Sequence, residues 1–156
     1  MQVEIRPARA EDVPQLLAIE NASFPTDRLD RRAFSHAVRS PTILAQVAVA
    51  AAGEVVGYVL VQIRRGSDLG WLTSVAVLPD AHGQGVGSEL VQAAEQSTRE
   101  AGRARIRLEV RADNASAQKL YERAGYARFE VIPDYYEAGG AAWRYQKALC
   151  SISQST

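Results

Sequence analysis

Gly83, Gly85 and Gly87 recur at every second position of His82-Gly83-Gln84-Gly85-Val86-Gly87. They follow the apolar run Val75-Ala76-Val77-Leu78 and the stop Pro79-Asp80. Glycines at a helix start let backbone N–H groups approach an anion, and the helix dipole adds roughly half a positive charge. The chemistry suggested is a pyrophosphate cradle made by the backbone from Gly83 to Ser88. A turn that only redirects the chain is the simpler alternative. Three glycines between a strand and a helix weigh toward the anion. No Lys-Ser/Thr pair follows them, which excludes a P-loop. Gly83-x-Gly85-x-x-Ser88 approximates a dinucleotide fingerprint, with Glu109 about 20 residues on as a ribose ligand. Yet the motif lies mid-chain behind antiparallel strands. Too little chain follows it for a second mononucleotide half.

Glu109 lies between Leu108 and Val110, so strand alternation turns it to the face opposite theirs. A carboxylate on a central strand needs a reason; an ordinary surface carboxylate is the plain one. Tyr121, beside Leu120, reads equally as core packing.

These residues need a scaffold. Val3-Glu4-Ile5-Arg6 alternates as a strand. Spacing predicts a helix from Glu11 to Ser23, with Pro14 tolerated in its first turn, and a short helix from Asp30 to Val38. Ile43 to Ala51 and Val55 to Ile63 flank the turn Ala52-Gly53-Glu54 and predict a hairpin. Trp71 to Leu78 reads as a central strand. A long helix then runs to Ala101, with Val86, Leu90, Val91 and Ala94 inward and Gly102 as its stop. The remainder reads as strand Ile106 to Val110, helix Asn114 to Ala124, and strands Tyr126 to Ile132 and Ala142 to Leu149. Antiparallel strands followed by a β-α-β-α-β run predict an α+β fold around a mixed sheet.

Composition narrows the function. The chain has 156 residues, which predicts one domain over 1–150 with a polar tail at 151–156. Lys plus Arg is 18 and Asp plus Glu is 18, so a whole-chain nucleic-acid footprint is absent. The local run Arg103-Ala104-Arg105-Ile106-Arg107 reads as one solvated strand face. No apolar run approaches the ~18 residues of a membrane span, and Met1 to Ala10 lacks a signal core. The single Cys150 excludes a disulfide framework, and with His36 and His82 as the two histidines no metal site is expected. Cys150 also lacks a neighbour that would make it an acyl carrier. The expectation is a cytoplasmic protein, monomeric or weakly dimeric.

The glycine segment, opening a helix after a Val-x-Pro-x strand end, resembles the acetyl-CoA signature of the GNAT N-acetyltransferases. Leu108-Glu109-Val110-Arg111-Ala112-Asp113-Asn114-Ala115-Ser116-Ala117, Leu120-Tyr121-Glu122 and Gly125-Tyr126 resemble the RimI-type branch, as does Asp134-Tyr135-Tyr136. That branch acetylates protein N-termini, including one of a ribosomal protein. The resemblance covers nearly the whole chain. It implies a mostly antiparallel sheet of about seven strands with about four helices, and acetyl-CoA as co-substrate. Two positions depart from the family. His82 replaces the usual Gln or Arg, offering one donor to a phosphate without a fixed charge. Trp143-Arg144-Tyr145-Gln146-Lys147 replaces a segment in which the ribosomal enzymes carry an acidic residue and then aliphatic ones.

The resemblance also assigns roles. Glu109 becomes the general base, acting through water, and Tyr121 the general acid. A thiol titrates near ~8.5 and a tyrosine near ~10, so that proton transfer is uphill by about 2 kcal/mol. Val75 and Val77 offer backbone groups to the pantetheine arm; His82, Gly83, Gln84, Gly85, Val86, Gly87 and Ser88 hold the phosphates. Asn114 caps its helix and contacts the cofactor arm. Tyr135 and Tyr136 grip the acceptor backbone. The acceptor implied is a protein or peptide N-terminus. A lysine or small-molecule acetyltransferase on the same fold is one alternative, and a non-catalytic acyl-CoA sensor another.

Overall fold

The computed structural model describes residues 1–136 and 139–149. Cys150 and the tail 151–156 lie outside the described residues. Seven strands form one sheet in the order β1-β2-β3-β4-β5-β7-β6. They are β1 (Val3–Pro7), β2 (Ile43–Ala50), β3 (Val55–Ile63), β4 (Leu69–Val77), β5 (Arg105–Arg111), β6 (Ala127–Ile132) and β7 (Ala142–Ala148). Four helices complete the α+β fold: α1 (Val13–Ser23), α2 (Arg31–Arg39), α3 (Val86–Glu100) and α4 (Ala115–Arg123). Every strand pair is antiparallel except β4 with β5.

Local chemistry sets the helix starts. The Asp30 side chain caps α2 by accepting from the Ala33 N–H at 2.8 Å. Asn114 caps α4 in the same way, through the Ala117 N–H at 3.1 Å. The first helix starts later than its sequence suggests. Ala10–Asp12 make a 3-10 turn instead, because the Asp12 carboxylate is drawn to the Arg9 N–H (2.7 Å) and to Arg6 (2.9 Å).

The two sheet faces bury separate cores. On one, α3 and α4 cover Val59, Val61, Ile106 and Leu108 with Leu90, Val91 and Tyr121. Helix α3 lies so close to β4 that a Cβ on Gly70 would stand 2.6 Å from Thr98 Cγ2. On the other face, α1 and α2 cover Val47, Tyr58 and Leu60 with Leu16, Ile19 and Phe34. This second core spans β2 to β4. Beyond it, Arg105, Arg107, Glu109 and Arg111 of β5 are only partly buried, while Ile106, Leu108 and Val110 between them are buried. Alternation thus leaves the charged β5 face open.

Candidate active site

Strands β4 and β5 pair only from Leu69↔Arg105 to Leu72↔Leu108. Immediately afterwards β4 bulges, because Val61 opposes Leu72 while Leu60 opposes Ser74, leaving Thr73 as the extra residue. A bulge bends its strand and raises its twist. The two strands therefore part above Leu72 and Leu108. The β4 segment from Thr73 to Val77 and the β5 segment from Glu109 to Arg111 border the resulting slot.

The end of β4 leads through the 3-10 turn Pro79–Ala81 into the glycine loop. Gly83 (φ 75°) and Gly85 (φ 82°) adopt the left-handed backbone that glycine tolerates, and a Cβ on either would meet nothing within 4 Å. Gly87 differs: it is helical, and an added Cβ would make ordinary contact with Leu120 at 3.7 Å. Gly85 caps α3 with no side-chain hydrogen bond. Among the described residues, the N–H groups from Gly83 to Ser88 have no backbone acceptor. Open space above uncapped donors fits a phosphate. The His82 donor, expected at the phosphate, goes elsewhere. Its Nε2–H donates to the Val77 carbonyl at 2.7 Å, and its backbone N–H donates to Pro79 O at 3.1 Å. Val77 O, one of the two β4 positions expected to serve the pantetheine arm, is thereby engaged, whereas Val75 O, among the described residues, receives no side-chain donor, and β5 pairs with β4 only as far as Leu72.

Glu109 lies on the open face beside the slot. Its Oε2 accepts from Arg144 Nε at 2.7 Å, and Arg144 Nη1 also reaches Glu130 Oε1 at 3.0 Å. The Tyr135 hydroxyl faces Glu109, and hydrogen bonding to that carboxylate, followed by burial and its negative charge, holds the phenol above its usual range. Tyr135 and Tyr136 stack edge-on with centroids 5.0 Å apart. The Arg111 guanidinium lies 4.5 Å from the Tyr136 centroid and donates to Gly139 O at 2.9 Å, so β5 itself pins this loop. Arg144 was visible in sequence only as a departure; that it faces Glu109 follows from the β5–β7 register.

Tyr121 lies on the opposite face, in the same buried cluster as Leu108 and Val110, the neighbours of Glu109. Burial pushes its phenol well above the ordinary tyrosine range. Full proton transfer from it therefore costs more than the ordinary values suggest, and it stays protonated throughout the neutral range. Asn114 Oδ1 is spent on the α4 cap, while its Nδ2 has no partner among the described residues. Gln118 fastens α4 to the end of β5 through the carbonyls of Arg111 (3.2 Å) and Ala112 (2.9 Å).

A slot between parting strands, a glycine loop with open space above uncapped donors, and a carboxylate and a phenol on opposite faces suit acyl transfer from a thioester carrier. Residues 10–126 match the family described as "Acetyltransferase (GNAT) family". The chain belongs to the GNAT family. It is an acetyl-CoA-dependent acetyltransferase. An N-alpha-acetyltransferase of Sulfurisphaera tokodaii is 31% identical over 155 residues, covering 91% of this chain and 90% of that one. N-alpha-acetyltransferase 30 of Schizosaccharomyces pombe is 34% identical over 84 residues, and the chain spans only 56% of its length (53% of this chain). The ribosomal-protein-S18-alanine N-acetyltransferase of Escherichia coli shares the fold, with TM-score 0.84 and 24% identity over 95% of this chain and 94% of that one. The GNAT fold thus accounts for the seven-strand sheet and its one parallel pair. Among the described residues, no helix is long and apolar enough to cross a membrane.

Proposed function

We propose that the protein transfers an acetyl group from acetyl-CoA to the α-amine of a protein N-terminus, a ribosomal protein being one such acceptor, in the cytoplasm. The parting of β4 from β5 beside Glu109 carries this reading, because it opens the sheet between a carboxylate on one face and a phenol on the other. The N-alpha-acetyltransferase of S. tokodaii, similar along nearly the whole chain, supports an α-amine acceptor.

Acetyl-CoA supplies the activated acetyl thioester. The residues that would hold it are the backbone donors from Gly83 to Ser88, the β4 edge at Val75, and the free amide of Asn114. Glu109 takes the proton from the acceptor ammonium, through water. An α-amine titrates near ~8, so a carboxylate has far less to do than for a lysine near ~10.4. Tyr121 keeps a proton on its hydroxyl for the departing sulfur. Tyr135 and Tyr136, held by Arg111, form the wall that orients the acceptor chain.

The deciding experiment is a peptide array with labelled acetyl-CoA. Free N-termini are compared with blocked N-termini carrying an internal lysine. Label confined to free N-termini is the expected result. Label on internal lysine alone would move the acceptor to a side-chain amine, and acetyl-CoA binding without any transfer would make the protein a sensor.

A further inference from the structure

We propose that Arg144 reads a carboxylate carried beside the acceptor amine, so that the site favours N-termini beginning with Asp or Glu. The inference rests on the reading of Glu109 as the group that meets that amine.

Arg144 stands directly opposite Glu109 in the β5–β7 register, and the two form the 2.7 Å ion pair described above. Both side chains remain accessible, Glu109 at 22% and Arg144 at 29%. Arg144 Nη1 leans on Glu130, which is more exposed at 47%. Its Nη2 has no carboxylate partner among the described residues. The guanidinium lies 5.9 Å from the Trp71 ring centroid, which limits its swing toward β4.

The other charged or titratable groups around Glu109 are already engaged. Arg107, two residues back on β5, bonds Gln146 at 3.0 Å and lies over Phe129. Arg111, two residues on, is held by Asp113 and Gly139. Tyr135 contributes a hydroxyl, and Tyr136 lies under Arg111. Arg144 is therefore the cation whose partner the reaction must use.

An acceptor that brings only an ammonium competes with Arg144 for one carboxylate. It leaves two cations side by side, with only exposed Glu130 to balance Arg144. An acceptor that also brings a carboxylate avoids this. Its ammonium goes to Glu109, its carboxylate goes to Arg144, and the ion pair is exchanged rather than broken. A guanidinium has five donors in a fixed plane, so it can take a carboxylate bidentately while Nη1 keeps Glu130. Covalent geometry places the carboxylate of Asp or Glu roughly 3–5 Å from its own α-amine. That span suits two binding groups already in contact with each other.

The test is a set of peptides identical except for Asp, Glu, Ala or Lys at the first position, with free glutamate as a further acceptor. kcat/KM is measured for the wild type, Arg144→Gln, Arg144→Lys and Glu109→Gln. The wild type should favour acidic first residues over Ala by roughly tenfold or more, with Lys poorest. Arg144→Gln should bring the acidic-to-Ala ratio to near one, mainly through KM, and Arg144→Lys should restore part of it. Retention of the acetyl-CoA thermal shift shows that each variant is folded. The proposal is overturned by a wild type without acidic preference, by a preference that survives Arg144→Gln, or by free glutamate outrunning every peptide. Glu109→Gln separates the two readings. If it slows all peptides while the acidic preference is absent, Glu109 keeps its role and Arg144 loses this one. If Glu109→Gln runs at full rate on every peptide, the reading of Glu109 fails and the proposal fails with it.

Discussion

Lys147 Nζ lies 3.0 Å from Glu95 Oε1, joining β7 to α3 through the partly closed side of the core. The same ammonium donates to the Ala124 carbonyl at 2.7 Å, where α4 ends. Its charge also sits 5.7 Å from the Tyr126 centroid, and Tyr126 packs edge-on against Tyr121 at 5.7 Å. Among the described residues, Glu95 Oε2 and Tyr126 Oη are buried without a hydrogen-bond partner. Burial first, and the Glu95 charge second, hold the Tyr126 phenol far above its usual range. One cation therefore ties together the three elements behind the candidate acid.

Lys147→Met is expected to lower unfolding stability by about 3 kcal/mol, because it leaves the Glu95 carboxylate buried and unpaired. Adding Glu95→Leu should recover most of that loss, since the orphaned charge goes with it. Urea melts of the single and double variants measure both. Equal losses in the two would show that the orphaned Glu95 charge is not the cause.

Tyr121→Phe removes one hydroxyl and keeps the ring in its cluster. If the hydroxyl serves the departing sulfur, kcat should fall by about 100-fold, with acetyl-CoA affinity nearly unchanged. Because burial raises the Tyr121 phenol, its own titration should not shape the pH–rate profile in the neutral range. A variant with wild-type kcat would return Tyr121 to a packing role.

Glu109→Gln should lower kcat/KM most where the acceptor amine is protonated. The deficit should shrink as pH rises through the pKa of that amine, near ~8 for an α-amine and nearer ~10 for lysine. The midpoint of recovery thus reports the acceptor class independently of the peptide array. A deficit constant with pH and confined to KM would make Glu109 a binding residue.

Gly85→Val should abolish the rise in melting temperature that acetyl-CoA produces, because the side chain would fill the open space over the α3 donors. The substitution also strains the backbone at φ 82°, so Gly102→Val, at the same φ of 82° but at the far end of α3, is the control. It should cost similar stability and keep the ligand shift. Loss of the shift in both would indicate general damage to α3.

Asp12 accepts from Arg6 and from the Arg9 N–H, which together hold its carboxyl below the ordinary 3.8 despite burial. A depressed native pKa means the stabilisation is present above the unfolded value and is lost as pH falls through the native one. Asp12→Asn should therefore cost roughly 1–3 kcal/mol at neutral pH and almost nothing once the pH has fallen below the native titration of Asp12. Unfolding free energies at these two acidities check the sign. A loss that grows on acidification would contradict it.

Much of the scaffold was legible because it is written in local chemistry. The β3 bounds, Val55 and Ile63, coincide with the sequence reading, since the Gly53 turn opens a run that is apolar at nearly every position. Asp30 and Asn114 announce two helix starts through their own side chains. The late start of α1 was hidden, because the donor that draws the Asp12 carboxylate away sits on β1, at Arg6. Gly83 and Gly85 were read as a cradle because glycines let backbone N–H groups approach an anion; the structure adds a positive φ and open space at both. Gly87 resembled them in spacing alone.

By itself the sequence determined the order of the elements, the α+β class, the glycine loop at the start of α3 and, by resemblance, the family. Each depends on a residue's neighbours in the chain or on a motif carried in one short stretch. Tertiary structure decided what those stretches meet. It turned the His82 donor onto Val77, set Arg144 across from Glu109, and joined Lys147 to Glu95 across 52 positions. The physical reason is register. A bulge at Thr73 and the pairing of β5 with β7 fix which charges share a face, and a single-residue slip would turn Arg144 away from Glu109 to the opposite face.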